Sequence, residues 1–200
     1  LNMLQVVRKA FPDTTIHIDC NSGYTLDDLP FFKAIDGMGL AFIEQPLHFA
    51  DVLDHAELAR QIETPICLDE TIVSVRAAEQ AIRTKACRYI NIKPGRIGGL
   101  SNALAVHDLA RDAGIPVWIG GMLESAVGSA ICVELATLDN FTYPGDLFPS
   151  SRFYTRDLAE PPLEFSPGNV FQPFTDDLPV PNPEQLEQCT LRHQSVVPGT

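Results

Sequence analysis

Residues 65–93 read PICLDETIVSVRAAEQAIRTKACRYINIK, which is a β-branched run, a longer run with helical periodicity and a second β-branched run. Ser74, at the start of the middle run, is a residue type that often caps helix N-termini. A strand, a helix and a second strand in this order pair their strands in parallel through a right-handed crossover. The stretch therefore predicts one α/β unit.

The same alternation continues on both sides of this unit. The predicted strands lie at 14–19, 40–44, 65–69, 88–93 and 116–120, with a sixth near 140–145, and the predicted helices lie at about 25–36, 51–62, 74–84, 99–113 and 125–137. Parallel strands joined by helices form a sheet that is covered on both faces. The sequence therefore predicts an α/β fold.

The chain is expected to divide near residue 150. Residues 1–150 carry the alternating pattern and form one predicted domain, whereas residues 151–200 are rich in proline but keep apolar residues. We interpret 151–200 as an ordered extension that packs against another part of the protein, with a mobile end after about Gln188. A solvated C-terminal tail is the alternative.

Composition excludes several classes of partner. The net charge is −12, and no stretch combines clustered Lys and Arg with aromatic residues, so a nucleic-acid partner is not expected. The sequence has no run of about 18 apolar residues, so a membrane partner is not expected. The five scattered cysteines contain no CxxC pair, which fits a reduced cytoplasmic location. A small molecule is the expected partner.

Four ionisable residues each close a predicted strand. Asp19, Glu44, Asp69 and Lys93 follow one another at intervals of 25, 25 and 24 residues, which is the length of one strand-helix unit. The carboxyl ends of parallel strands meet at one rim, where barrel enzymes build their active sites. Because side chains alternate along a strand, all four are expected to point towards one pocket.

The three carboxylates predict a divalent metal. Converging carboxylates repel one another unless a cation lies between them, and oxygen ligands without Cys or His favour Mg²⁺ or Mn²⁺. Lys93 beside such a site could act as a base or as an electrostatic partner. Any single strand-end Asp could instead be only a helix cap or a turn residue.

The loop after the fifth strand is a candidate substrate pocket. Gly121 would let the backbone approach a ligand, and Met122 and Leu123 could form an apolar lining. A tight strand-to-helix turn is the alternative. His17, on the inward face of the first strand, is interpreted as a core histidine.

Four segments carry a family resemblance. IDCN at 18–21, FIEQPL at 42–47, ICLDE at 66–70 and NIKPGRIGG at 91–99 resemble the successive strand-end motifs of the enolase superfamily, in its muconate-lactonising branch. The resemblance runs from about residue 14 to 160. PVWIGGMLESAVG at 116–128 and YPGDL at 143–147 are most similar to the o-succinylbenzoate synthase and N-acylamino acid racemase group.

The resemblance implies a fold and a chemistry. It implies a TIM-type (β/α) barrel, of which the chain holds about six of the eight strands. Residues 1–150 would then be the partial catalytic barrel, and residues 151–200 an extension that packs on the barrel or on a capping domain. Asp19, Glu44 and Asp69 would be the metal ligands and Lys93 the acid, base or cationic residue, while Asn21 and Glu70 would support the ligands without binding the ion. The implied reaction abstracts a proton α to the carboxylate of a small substrate and passes through an enediolate.

One motif of the family is not found in these 200 residues. The family places a KxK motif on the strand before IHID, and the sequence contains no KxK. We therefore expect the chain to be part of a longer protein and to be inactive alone.

Three alternatives stay open at this stage. Dehydration to o-succinylbenzoate, in menaquinone biosynthesis, is the leading prediction, and an N-acylamino acid racemase or related epimerase is the second, because the motifs are shared. A non-catalytic α/β module is the third. Homo-oligomer formation is possible for such barrels but has no sequence signal.

Overall fold

The computed structural model describes residues 1–160, 162–175 and 177–194. The chain divides into two compact units. The first consists of Leu1–Gly120 and Leu138–Gly145, and the second of Gly121–Thr137 together with the chain from Asp146 onward. The domain boundary expected near residue 150 remains a prediction.

The first unit contains a parallel sheet whose strands follow chain order. They are β1 (Ile18–Asp19), β2 (Ile43–Glu44), β3 (Ile66–Leu68), β4 (Tyr89–Ile92) and β5 (Val117–Ile119). Ile18 pairs with Ile43, and Asp19 pairs with Glu44. This consecutive parallel order confirms the α/β prediction. At the predicted sixth strand the described residues show only a parallel bridge between Val117 and Phe141.

The helices of the first unit are α1 (Asn2–Ala10), α2 (Leu29–Ile35) after a 3₁₀ turn (Leu26–Asp28), α3 (Val52–Gln61), α4 (Val75–Thr84), α5 (Pro94–Ile97) and α6 (Leu100–Asp112). The predicted helices of this unit correspond to α2, α3, α4 and α6. Asp51 accepts a hydrogen bond from the backbone N of Asp54 at 3.1 Å, and Ser74 accepts one from Ala77 at 3.1 Å. Both caps fix where a helix starts.

The two faces of the sheet carry different side chains. Ile43, Ile66 and Ile90 are at most 1% exposed. Burial of each side chain stabilises the fold by about 1.5–3 kcal/mol. Phe42 and Trp118 belong to a separate cluster with Cys67, against which Tyr89 and Tyr143 pack. The predicted alternation of an aliphatic and a mixed face is therefore present.

The start of β3 is fixed by the carboxylate of Asp36. It accepts hydrogen bonds from the backbone N of Glu63 at 2.9 Å and from the backbone N and hydroxyl of Thr64, each at 2.7 Å. Burial raises the pKa of Asp36, but these hydrogen bonds outweigh it and leave the pKa below its ordinary value. Asp36 thus links the end of α2 to the start of β3.

The second unit is built on helix α7 (Ala126–Leu135), with a 3₁₀ turn (Ser150–Arg152) and helix α8 (Pro183–Cys189). Ala126 and Val133 form a core with Ala159 and Leu163, against which Phe171 and Phe174 pack. The proline-rich segment is therefore packed against α7 in its described part. The predicted mobile end reaches into residues 195–200, which lie outside the described residues.

Within the described ranges, no helix is both long enough and apolar enough to cross a membrane.

Candidate active site

The ends of four strands bring the predicted site residues to one edge of the sheet. Asp19 ends β1 and Glu44 ends β2, while Asp69 and Lys93 directly follow β3 and β4. In a parallel sheet all these ends lie on the same side. The four predicted residues therefore lie at strand ends on the same side of the sheet, and their role as one site stays a prediction.

Asp69 is bound by two cations. The Nζ atom of Lys93 donates to its Oδ2 at 2.8 Å, and the Arg96 guanidinium donates to its Oδ1. The Asp69 side chain is 1% exposed, and the side chains of Lys93 and Arg96 are 14% and 17% exposed. Solvent screening at this pair is therefore weak, and the Lys93 side chain is held beside the carboxylate.

Glu44 is a buried carboxyl group in a polar setting. The amide of Asn91 donates to its Oε1 at 2.8 Å, and the Nε2 of His17 lies 3.7 Å from its Oε2. Burial raises the pKa of Glu44 to about 8; the hydrogen bond from Asn91 opposes this, and the charges of Asp19 and Asp69 add to it. Glu44 therefore lacks a full positive counter-charge.

Asn21 orients Asp19. Its backbone N donates to Asp19 Oδ1 at 2.9 Å and its amide to Oδ2 at 2.8 Å, and the same amide lies 3.5 Å from Glu70 Oε1. Asn21 has φ 43°, a left-handed conformation that Asn tolerates better than most residues. Asn21 and Glu70 thus lie where the sequence placed them, beside a ligand candidate.

The site fits a divalent cation in ligand type but not in ligand geometry. Among the described residues, no three Asp, Glu, His or Cys side chains converge closely enough to hold an ion. Asp69 instead faces Lys93 and Arg96. Yet the set consists of oxygen donors only, and two buried acceptors, Glu70 Oε2 and Asn91 Oδ1, have no hydrogen-bond partner in the described part of the chain.

Sequence reasoning missed two polar residues of the site. Arg96 lies in the single turn of α5 that follows Lys93, and this three-residue spacing is the signal that could have found it. His17 was interpreted as a core residue. It stacks on Phe42 with ring centroids 4.6 Å apart, and its Nδ1 lies 2.9 Å from the Tyr143 hydroxyl, but its other nitrogen faces Glu44.

Gly120 has no side chain, and this leaves room for the side chains of two site residues. A Cβ atom at this position would overlap the side chains of Asn91 and Lys93. The sequence predicted that glycines here let the backbone approach a ligand. At Gly120 the close neighbours are instead two side chains of the protein.

The candidate substrate loop lies in the second unit. The backbone N of Gly121 donates to Asp146 O at 2.8 Å, and the Tyr154 hydroxyl donates to Leu123 O at 2.7 Å. Met122 and Leu123 are 48% and 63% exposed. The loop is thus anchored at its backbone with its apolar side chains open, and its role in a pocket remains a prediction.

Comparison with known proteins identifies related sequences over most of the chain. Residues 1–174 match the family described as enolase C-terminal domain-like. An N-succinylamino acid racemase of Amycolatopsis sp is 50% identical over 94% of this chain and 51% of its own length. An o-succinylbenzoate synthase of Geobacillus stearothermophilus is 47% identical over 86% of this chain and 46% of its own length.

The fold is also found among solved structures. A member of the enolase superfamily from Listeria innocua superposes with a TM-score of 0.87 at 37% identity, over 94% of this chain and 51% of that chain. The chain spans about half the length of the curated relatives that it matches.

Proposed function

The chain belongs to the enolase C-terminal domain-like family, and on that premise we propose that it carries the metal-binding strand ends of an enzyme that removes a proton α to a carboxylate. The proposed reaction is the dehydration that forms o-succinylbenzoate. Sites of the enolase superfamily combine a Lys or His base with one or two Mg²⁺ ions. The ionisable residues at the ends of β1 to β4 supply the matching groups.

Asp19, Glu44 and Asp69 would hold the Mg²⁺ or Mn²⁺ ion. Burial raises the pKa of Glu44 to about 8, and a bound divalent cation would favour the charged form of this carboxyl group. Carboxylate oxygens accept more than one bond, so Asp69 keeps lone pairs for an ion beside Lys93 and Arg96. When bound, the ion would supply positive charge for the carboxylate of the substrate.

Lys93 would act through its Nζ atom, either as a cation or as a proton donor. Its contact with Asp69, at 2.8 Å, keeps the ammonium at the site edge. As a cation it would stabilise the negative charge that builds up when the α-proton leaves. As an acid it would return a proton to the carbon, which is the step that separates racemisation from dehydration.

N-acylamino acid racemisation is the second candidate. A relative at 50% identity is an N-succinylamino acid racemase, and one at 47% is an o-succinylbenzoate synthase, so identity does not separate the reactions. The residues proposed for metal and proton handling serve both. The substrate is therefore proposed only as a small carboxylate, and a cytoplasmic location and a homo-oligomeric state remain predictions.

The ion pair of Lys93 and Asp69 beside buried Glu44 is the observation that carries the proposal. The test assays the intact protein with Mg²⁺ on the o-succinylbenzoate precursor and on an N-succinylamino acid. Dehydration is expected, and Asp69→Asn should abolish it. Racemisation without dehydration would favour the second candidate, and neither activity in a folded, metal-loaded protein would reject the proposal.

A further inference from the structure

Gln45 is fully buried and lies directly after Glu44 at the end of β2. Its amide oxygen accepts hydrogen bonds from the backbone N of Asp69 at 3.0 Å and of Thr71 at 3.1 Å. Two peptide N–H donors on one oxygen fix which end of the amide faces β3. The side chain of Gln45 thus binds the backbone of the neighbouring metal-ligand candidate.

The other end of the same amide is also fixed. Its Nε2 donates to Leu47 O at 3.1 Å and to the Thr71 hydroxyl at 2.8 Å, and it lies 3.3 Å from His55 Nε2. His55 Nδ1 lies 2.7 Å from Asp51 O, so Nδ1 carries the proton and Nε2 accepts. A rotation of the Gln45 amide would therefore break hydrogen bonds at both ends.

The backbone of Gln45 contacts β3 and the loop after β1. Its N donates to Cys67 O at 2.9 Å, in β3, and its carbonyl accepts from the backbone N of Ser22 at 2.9 Å, in the loop after β1. Gln45 therefore connects the end of β2 to the segments beside Asp19, which ends β1, and Asp69, which follows β3. Its φ of 35° lies in the left-handed region, so the surrounding hydrogen bonds hold a conformation with an energetic cost.

We propose that Gln45 is a positioning residue that sets the separation of Glu44 and Asp69 through the hydrogen bond from the Asp69 backbone to its side-chain oxygen. The inference rests on the proposed function, because it assigns this role for a metal held by the two carboxylates. Residues that orient metal ligands without touching the ion commonly change metal affinity by roughly 10- to 100-fold when they are replaced. A purely structural Gln45 would change stability alone.

Two substitutions separate these roles. Gln45→Met keeps the size of the side chain but removes both sets of hydrogen bonds. Gln45→Glu keeps an oxygen that accepts from Asp69 and Thr71, but turns a second acceptor towards Leu47 O and His55. Both variants retain a Cβ atom, so the cost of the positive φ is common to them. Both are expected to lower the unfolding temperature, and only Gln45→Met should weaken metal binding.

Asp36→Asn provides the matched control. The Asp36 side chain binds the residues before β3, and the Gln45 side chain binds the residues after β3. Each side chain therefore holds one end of β3. The control should lower the unfolding temperature and leave metal affinity unchanged.

The measurement is Mn²⁺ binding to the intact protein, followed by electron paramagnetic resonance, with the unfolding temperature of each variant measured in parallel. We expect roughly 10- to 100-fold weaker binding for Gln45→Met and no weakening for Gln45→Glu or Asp36→Asn. Equal affinity in Gln45→Met, or equal loss in Gln45→Met and Gln45→Glu, would overturn the inference. Should Gln45→Met not fold, weakened binding in Gln45→Glu alone overturns it. Absence of Mn²⁺ binding in the unsubstituted protein would instead reject the proposed metal site.

Discussion

At the scale of one residue, Gly120 lies where the site has no room for a side chain. Because an added Cβ atom would overlap Asn91 and Lys93, Gly120→Ala has to displace both side chains. We expect it to lower turnover and to cost roughly 1–3 kcal/mol of unfolding free energy through overpacking. Steady-state kinetics and urea unfolding check this. Gly37→Ala is the control, since a Cβ atom there meets no atom within 4 Å. Equal activities of the two variants would contradict the prediction that a Cβ atom at position 120 disturbs the site.

Lys93 allows chemistry to be separated from metal binding. Lys93→Met removes the ammonium group but frees an oxygen of Asp69. Turnover of the intact protein is expected to fall by roughly 10²–10⁴, the usual contribution of general acid–base catalysis, while metal affinity stays equal or rises. Kinetics and metal titration of one preparation test both parts. A variant with lost metal binding would contradict the prediction that Lys93 acts separately from the metal site.

Residue-scale prediction from sequence is possible where chemistry repeats with the fold. Asp19, Glu44 and Asp69 could be proposed as ligands because each occupies the same place in successive strand-helix units. The contacts of Gln45 could not be predicted, because they depend on which atoms meet across strands. Alternation along a strand gives the face of a residue but not its hydrogen-bond partner.

At the scale of elements, helix α3 is coupled to the site through His55. Burial lowers the pKa of His55 in the folded protein. The unfolded chain therefore binds the proton more tightly, with a pKa of about 6.5, and the stabilisation is complete above that value and is lost as pH falls towards the folded pKa. We expect the unfolding free energy that His55 contributes, measured by urea denaturation as the difference between the unsubstituted protein and His55→Asn, to shrink from about pH 7.5 to about pH 5. Glu44, whose pKa is raised to about 8, acts in the opposite direction over this range and is common to both proteins.

The control for this prediction is a second histidine. His48→Gln removes an exposed histidine, and its denaturation curves should follow those of the unsubstituted protein. His55→Asn should lower stability at neutral pH by more than it does at about pH 5. A difference from the unsubstituted protein that is the same at both pH values would contradict this role of His55.

Element boundaries were predictable to different degrees. The starts of α3 and α4 followed from Asp51 and Ser74, because a capping side chain acts within its own segment. Strand lengths were overestimated: PICLD predicted a strand over 65–69, whereas β3 covers Ile66–Leu68. Strand ends depend on which neighbour pairs with them, and this information is not local to a segment.

At the scale of the whole molecule, the sequence established the family and left the substrate open. The groups proposed to hold a metal and to move a proton serve both dehydration and racemisation. We expect substrate choice to depend on loops such as Gly121–Leu123, whose side chains carry no distinctive pattern. The 200 residues contain no KxK motif, so we expect this chain, expressed alone, to show neither activity. Turnover by it in the same assays would show that the motif is dispensable.

The most direct test of the account is calorimetric titration of Mg²⁺ into the intact protein and its Asp69→Asn variant, with Asp36→Asn as the control. The account predicts one bound ion in the unsubstituted protein and the control, and a loss of binding in Asp69→Asn, because Asp69 is a proposed ligand. Equal binding in Asp69→Asn, or no binding to the folded, unsubstituted protein, would contradict it.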